Sequence, residues 1–198
     1  QVSALMDLSD QLAGLNVARY QAWQKEVREN NGVARRDTSN CMPPGMPNMM
    51  GTGQYPIEFL FTPGRVTTHH EAWMQWRSIY TDGRGHPEDL EPGIFGHSVG
   101  RWEGDTLVVE TVGIKTITEL SAGMKHSPKL KITERFSLDP QDGDRLLLDM
   151  SIEDADALEK PWKRQFSFAR QRDWSLMEFI CAENDRNPVN ADGHTQYQ

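Results

Sequence analysis

Apolar and polar residues alternate with a period of two along most of the chain after Pro56, and this pattern predicts β-strands. Clusters of Gly, Pro, Asp and Asn interrupt the alternation at regular intervals, as turns do. The spacing predicts about eight strands joined mostly by short turns. Such a series fits an antiparallel sandwich or an up-and-down barrel. The barrel is favoured because closure removes exposed strand edges.

The clearest hairpin covers residues 96–113, with the turn at Glu103-Gly104-Asp105 and many β-branched residues on the return arm. Two registers follow from the turn. A two-residue loop at Glu103-Gly104 places His97 opposite Glu110, and a three-residue loop places Ser98 there instead. Either register brings an imidazole or a hydroxyl group next to a carboxylate.

The rest of the chain divides into segments that differ in composition and in predicted structure. Leucines and aromatic residues recur at helical spacing in residues 1–30, which predicts an amphipathic N-terminal helix. Residues 31–55 form a Pro-, Gly- and Met-rich linker expected to pack on the barrel. Its methionines are expected to fill irregular gaps in the packing rather than to bind copper. The β-barrel domain is predicted for residues 56–183 and a polar tail for residues 184–198.

Composition narrows the function classes. The chain has 198 residues and a formal net charge of −8, which argues against a nucleic-acid partner. No apolar run approaches the ~20 residues of a membrane-spanning helix, so no membrane insertion is expected. Homo-oligomers are compatible with the sequence.

Cys41 and Cys181 either form one disulfide or are two separate buried thiols. The start at Gln1 fits an exported protein whose leader has been removed, or a trimmed chain.

Several segments resemble an uncharacterised family of exported bacterial proteins. The segments that carry the resemblance are NCMPPG at 40–45, PIE at 56–58, TPGRV at 62–66, RSIYTDGR at 77–84, HP at 86–87, the 96–113 hairpin, TERF at 133–136 and residues 178–181. The resemblance implies an all-β domain, export to the periplasm or beyond through a signal peptide, and a Cys41–Cys181 link. It names no activity. The segment 114–125 departs from the aromatic-rich pattern of many members. The hairpin is also similar to those of lipocalin-like barrels, so the expected fold is mainly β, an antiparallel lipocalin-like barrel.

The stretch 66–80 is predicted as one long strand, or as two strands with a bend. Alternation places His70, Trp76 and Tyr80 on one face, and the opposite face carries a more polar set. The polar set is His69, Glu71, Trp73, Gln75 and Arg77. Either face can point inward, and a bend would mix the two sets.

Proton transfer is the chemistry that these residue types favour. His97 and Glu110 form the predicted acid–base pair, since a carboxylate orients an imidazole and sets its tautomer. His70, Tyr80 and Arg77 are the predicted donors to a developing oxyanion. The competing structural interpretation is a buried ion pair between Glu110 and Arg101 or Arg77.

A metal site is a weaker interpretation. His69 and Glu71 could share a metal with His97 or His126, but adjacent strand residues point to opposite faces, and no zinc motif is present. No cofactor is predicted, because the sequence has no nucleotide, nicotinamide or flavin motif. It also lacks the nucleophile elbow of serine hydrolases.

The sequence therefore predicts a cofactor-independent lyase, isomerase or cyclase that acts on a small apolar or aromatic molecule inside the barrel. The predicted substrate-binding residues are His69, Glu71, Trp73, Trp76 and Trp102. The alternative is a lipocalin-like binding protein without catalysis. A third interpretation is an envelope-associated interaction module with a filled barrel.

Overall fold

A computed structural model describes residues 41–53, 55–121 and 124–181. The fold is mainly β, as predicted. The N-terminal helix predicted at 1–30, the first part of the linker and the tail at 184–198 lie outside the described residues. No helix in the described part of the chain is both long and apolar enough to cross a membrane.

Eight strands form one sheet in the order β1-β2-β3-β4-β5-β8-β9-β10. These strands are β1 (Ile57–Thr62), β2 (Arg65–His70), β3 (Gln75–Tyr80), β4 (His97–Glu103), β5 (Thr106–Val112), β8 (Lys131–Asp139), β9 (Asp142–Glu153) and β10 (Trp162–Ala169). A separate two-stranded sheet pairs β6 (Glu119–Ser121) with β7 (Met124–Lys125). Short 3-10 helices lie at Asn48–Gly51 and Ala72–Met74.

The large sheet curls into an open half-barrel. The Phe59 ring on β1 and the Phe136 ring on β8 lie edge to face with their centroids 5.7 Å apart. Five strand spacings separate β1 from β8 in the sheet order, which would be roughly 24 Å in a flat sheet. The ring contact therefore requires strong curvature toward the face that carries the buried apolar residues. We call this the core face and the opposite side the outer face.

The predicted closed, fully antiparallel barrel differs from this sheet in two respects. Strands β3 and β4 are parallel, pairing Ile79 with Ser98 and Tyr80 with Val99. The long connection 81–96 returns the chain to the starting end of β3, which a parallel pair requires. In addition, β1 and β10 form the two ends of the sheet, and no pairing joins them among the described strands.

The core face is covered by the linker and by the connections between strands. Met46, Met49 and Met50 are fully buried against strand residues such as Ile132 and Leu148. This agrees with the gap-filling role expected of flexible methionines. The backbone N–H of Met46 donates to Ile94 O at 3.1 Å, which ties the linker to the 81–96 connection.

Both predicted registers of the β4–β5 hairpin are wrong. Val99 pairs with Glu110, His97 pairs with Val112, and the two-residue loop is Gly104-Asp105. Gly104 has φ of 60°, and Asp105 is not among the positive-φ residues. This is the pattern of a type II′ turn, which needs positive φ at its first central position only. The two-residue loop predicted from the sequence, Glu103-Gly104, placed the glycine at the second central position of the turn.

The stretch 66–80 is two strands, and its bend is a complete reversal. Trp73 and Met74 adopt left-handed φ values of 58° and 49°, and His70 pairs with Gln75 across the turn. The reversal shifts the alternation, so that the two predicted sets of side chains are mixed. His70 and Arg77 face the core, whereas Trp76 and Tyr80 lie on the outer face with His69.

The segment 174–180 lies inside the predicted barrel domain, but it has no strand structure. It is held by other contacts: Met177 N donates to Glu71 Oε2 at 2.8 Å, and the Phe179 ring packs on Trp73 with a centroid distance of 5.4 Å. The disulfide between Cys41 and Cys181, whose Cα atoms are 5.6 Å apart, confirms the implied link.

Candidate active site on the outer face

The residues predicted to form one catalytic site are divided between the two faces of the sheet. His70 and Arg77 lie on the core face, at 1% and 2% exposure. His97, Glu110 and Tyr80 lie on the outer face, where all three remain partly accessible. The single site predicted inside a barrel is therefore two separate groups of polar residues.

The core-face group is a closed network around Arg77. Its guanidinium forms a two-pronged ion pair with Glu134, in which Nη1 donates to Oε1 at 3.1 Å and Nη2 donates to Oε2. The remaining donors reach Ser98 Oγ at 2.9 Å and Thr111 Oγ1 at 2.6 Å. Glu134 is fully buried, so this ion pair and its hydrogen bonds lock β3, β4, β5 and β8 together.

This network corrects the structural interpretation made from sequence. A buried ion pair does exist and it uses Arg77, but its partner is Glu134 and not Glu110. Four of the five N–H donors of Arg77 are already engaged by these side chains within the described residues, and Glu134 matches its charge. Arg77 therefore has a structural role in this arrangement.

His70 is isolated beside this network. Its Nε2 lies 3.1 Å from Thr68 Oγ1 and its ring packs on Phe95. Its Nδ1 is buried without a hydrogen-bond partner among the described residues. Burial, together with the nearby charges of Arg77 and His69, lowers the pKa of His70 to about 3. The imidazole is therefore neutral at physiological pH.

The outer-face group connects His97 to Glu110 through a third residue, His86. The two imidazoles meet at their Nδ1 atoms, 2.8 Å apart, and His86 Nε2 lies 3.5 Å from Glu110 Oε1. His97 and Glu110 come from β4 and β5, and His86 comes from the 81–96 connection that crosses over them. The predicted pair is thus bridged by an imidazole instead of touching directly.

Two further side chains complete this outer-face cluster. The Tyr80 ring stacks on His97 with a centroid distance of 5.2 Å and an interplanar angle of 24°. The guanidinium carbon of Arg84 lies over the Tyr80 ring, 4.2 Å from the ring centroid. Arg84 is oriented by hydrogen bonds to the Asp82 carboxylate, including Nε to Oδ1 at 2.9 Å. The cluster is a layered cation–ring–ring stack on the sheet surface.

Electrostatics favour a neutral His97. Partial burial lowers its pKa below the ordinary value, and the neighbouring His86 and Arg84 act in the same direction. Within the described residues, His97 Nε2 is neither hydrogen-bonded nor among the sequestered ring nitrogens. This atom is therefore available to a molecule that approaches the outer face.

The contacts of the two imidazoles favour one arrangement of the ring protons. His86 Nε2 lies within ion-pair distance of Glu110 but has no hydrogen-bond partner among the described residues. A carboxylate beside His86 Nε2 favours a proton on that nitrogen, which leaves His86 Nδ1 as an acceptor. In that tautomer His97 Nδ1 donates to His86 Nδ1 across 2.8 Å. The free Nε2 of His97 carries a lone pair, which is the arrangement of a general base.

Comparisons with known proteins assign no activity to this cluster. No family model matches the chain, and no solved structure matches it. The UPF0246 protein of Leptothrix cholodnii is 64% identical over 31 residues, which are 16% of this chain and 12% of that protein. The UPF0246 protein of Idiomarina loihiensis is 55% identical over 31 residues, with the same two shares. The matched segment thus spans about an eighth of these relatives, too little to show a family.

The predicted substrate-binding residues do not gather in one pocket. Glu71 accepts a hydrogen bond from the backbone N–H of Met177. Trp73 packs on Phe179, and its buried Nε1 has no hydrogen-bond partner within the described part of the chain. His69 and Trp76 adjoin each other on the outer face of β2 and β3, 6.3 Å between centroids. Trp102 lies at the hairpin tip beside Phe61. The described residues contain no group of three or more His, Cys, Asp or Glu side chains that could hold a metal ion.

Two residues, Glu134 and His86, have roles that the sequence did not predict. Glu134 occupies an even position in a strand whose other even positions are apolar, and a charge in that register is the signal of a buried ion pair. His86 lies in the connection between β3 and β4. Its participation depends on the path of the 81–96 connection, which no local pattern specifies.

Proposed function

We propose that the protein is a cofactor-independent enzyme that transfers protons at the outer-face cluster, with His97 Nε2 as general base. The observation that carries the proposal is the continuous chain from Glu110 through His86 to His97, with distances of 3.5 Å and 2.8 Å. The Glu110 carboxylate favours a proton on His86 Nε2. In that tautomer His86 Nδ1 is an acceptor, which favours a proton on His97 Nδ1 and leaves His97 Nε2 free.

The arrangement stabilises the protonated base. When His97 accepts a substrate proton at Nε2, the new imidazolium still donates from Nδ1 to His86. The Glu110 carboxylate, on the far side of His86, compensates part of the positive charge. Tyr80 stacks on the same ring, and its phenol is the nearby donor for an oxyanion or leaving group.

The reaction class is a lyase, isomerase or cyclase reaction in which a carbon-bound proton is removed and another is delivered. The substrate is a small apolar or aromatic molecule that lies on the Tyr80–His97 stack. We propose a periplasmic or extracellular location, as in the exported bacterial proteins that the sequence resembles. The Cys41–Cys181 disulfide supports it, because such bonds persist in oxidising compartments.

Proton abstraction can be tested without knowing the natural substrate. The wild-type protein is incubated in D2O with a panel of aromatic ketones, aldehydes and β-hydroxy acids, and loss of carbon-bound proton signals is followed by NMR. His97→Gln is expected to slow exchange by about 100-fold or more, the usual contribution of a general base. Arg101→Gln, a change on the exposed outer face of the same strand, is the matched control. Equal exchange in wild type and His97→Gln would refute the proposal.

A second candidate function is binding of a small apolar molecule in the half-barrel, without turnover. It is favoured by large apolar side chains exposed at the hairpin-tip end of the sheet, where Phe61 is 64% exposed, Leu138 60% and Trp102 52%. Exposed aromatic residues at the open end of a curled sheet form a natural entrance for an apolar ligand. Saturable ligand binding that persists in His97→Gln, with no proton exchange in the wild type, would favour this candidate.

A further inference from the structure

The core face of β10 carries a cation that lacks an anionic partner in the described structure. Arg164 lies half-buried between Trp162 and Phe166, with its guanidinium carbon 5.2 Å and 4.8 Å from their ring centroids. Its Nη1 donates to Asn48 Oδ1 at 3.2 Å. Both aromatic residues are buried, at 4% exposure each, so the guanidinium is held in a defined position.

No described carboxylate compensates this charge. Arg164 is absent from the ion pairs of the described residues, whereas the buried Arg77 is fully matched by Glu134. Burial alone lowers the pKa of Arg164 to about 10. A desolvated guanidinium with one amide partner retains donors for an oxyanion, and planar guanidinium groups bind carboxylates in two-pronged geometry.

An apolar surface extends from Arg164 toward the open end of the half-barrel. Along the core face of β10, Phe166 and then Phe168 follow Arg164, and their rings are 6.5 Å apart. Phe168 pairs with Leu146 on β9, which pairs in turn with Leu138 on β8. These three side chains form a cross-strand row that is partly exposed, and we call it the apolar row.

We propose that Arg164, held in place by Asn48, binds the carboxylate of an apolar organic acid whose hydrocarbon body lies on the apolar row. Asn48 itself is engaged at both ends of its amide, since its Nδ2 donates to Glu119 O at 2.8 Å. This inference deepens the second candidate function and rests on it. It does not depend on the outer-face cluster, because Arg164 lies on the opposite face and at the far end of the sheet. The ligand class follows from the combination of an unmatched cation with a contiguous apolar surface.

The test compares decanoate with decanol, which has the same chain and a neutral head group. Binding to the full chain is followed by calorimetry and by tryptophan fluorescence. The wild type is expected to bind decanoate at least about tenfold more tightly than decanol, as a charge-assisted hydrogen bond predicts. Arg164→Met should remove this preference while retaining decanol binding. Lys163→Met, which removes an exposed cation from the other face of the same strand, should preserve it.

The outcomes distinguish the Arg164 inference from the second candidate function. Equal affinity for decanoate and decanol in the wild type, or an unchanged preference in Arg164→Met, would overturn the Arg164 inference alone. Binding of neither compound would overturn the second candidate function as well. If Arg164→Met fails to fold, the comparison of decanoate with decanol in the wild type still decides. Inorganic phosphate that binds as tightly as decanoate would show a general anion site and also overturn the inference.

Discussion

The buried ion pair of Arg77 and Glu134 predicts a large and specific loss of stability. Glu134→Gln keeps the shape of the side chain but removes its charge, which leaves the guanidinium of Arg77 desolvated and uncompensated. Arg77 and Glu134 are 2% and 0% exposed. Breaking a pair buried to this degree costs about 3–5 kcal/mol of unfolding free energy.

Urea unfolding followed by tryptophan fluorescence measures this loss from the shift in midpoint and slope. The matched control is Arg135→Gln, which breaks the exposed ion pair with Glu103 at the next residue of the same strand. Its effect is expected to be much smaller, because solvent screens that pair. A loss in Glu134→Gln no larger than in Arg135→Gln would refute the assignment of the network as the lock of the sheet.

Two further predictions concern pH and the disulfide. The unfolded chain protonates His70 near pH 6.5 and the folded chain only near pH 3, so stability falls as pH falls through this window, by about 1.4 kcal/mol per pH unit. Unfolding curves at pH 6.5 and 4.5 should therefore show a drop that is about 2–3 kcal/mol smaller in His70→Met than in wild type, and parallel losses would contradict the neutral buried state. Removal of the Cys41–Cys181 bond, which closes a loop of 140 residues, should cost about 5 kcal/mol in the chain-entropy model. Cys41→Ser/Cys181→Ser with wild-type thermal stability would show that the bond does not constrain the unfolded chain.

Local pattern was sufficient for most of the strands. The apolar residues at even positions of 130–138 predict β8, and the core face there carries Ile132 and Phe136 as expected. The disulfide followed from the resemblance, since spacing alone left two buried thiols as an alternative. These features depend on side-chain alternation or on chemistry that is visible in a few residues.

The errors arose where a backbone detail decides the geometry. One position in the Gly104-Asp105 turn shifts the register of a whole hairpin, because the side-chain period of a strand is two. The reversal at Trp73 and Met74 depends on left-handed backbone angles that non-glycine residues rarely adopt. Sequence patterns carry little information on either feature. The candidate site depends on both, and also on the crossing path of His86.

The protonation of His97 tests the central claim most directly. Two-dimensional proton–nitrogen NMR of 15N-histidine-labelled protein reports which ring nitrogen carries the proton and at what pH the ring titrates. The account predicts a neutral His97 at pH 7.5, protonated at Nδ1 and free at Nε2, with a pKa below that of an exposed histidine. A proton on Nε2, or a pKa above the ordinary value, would contradict the Glu110–His86–His97 relay and the general-base role derived from it.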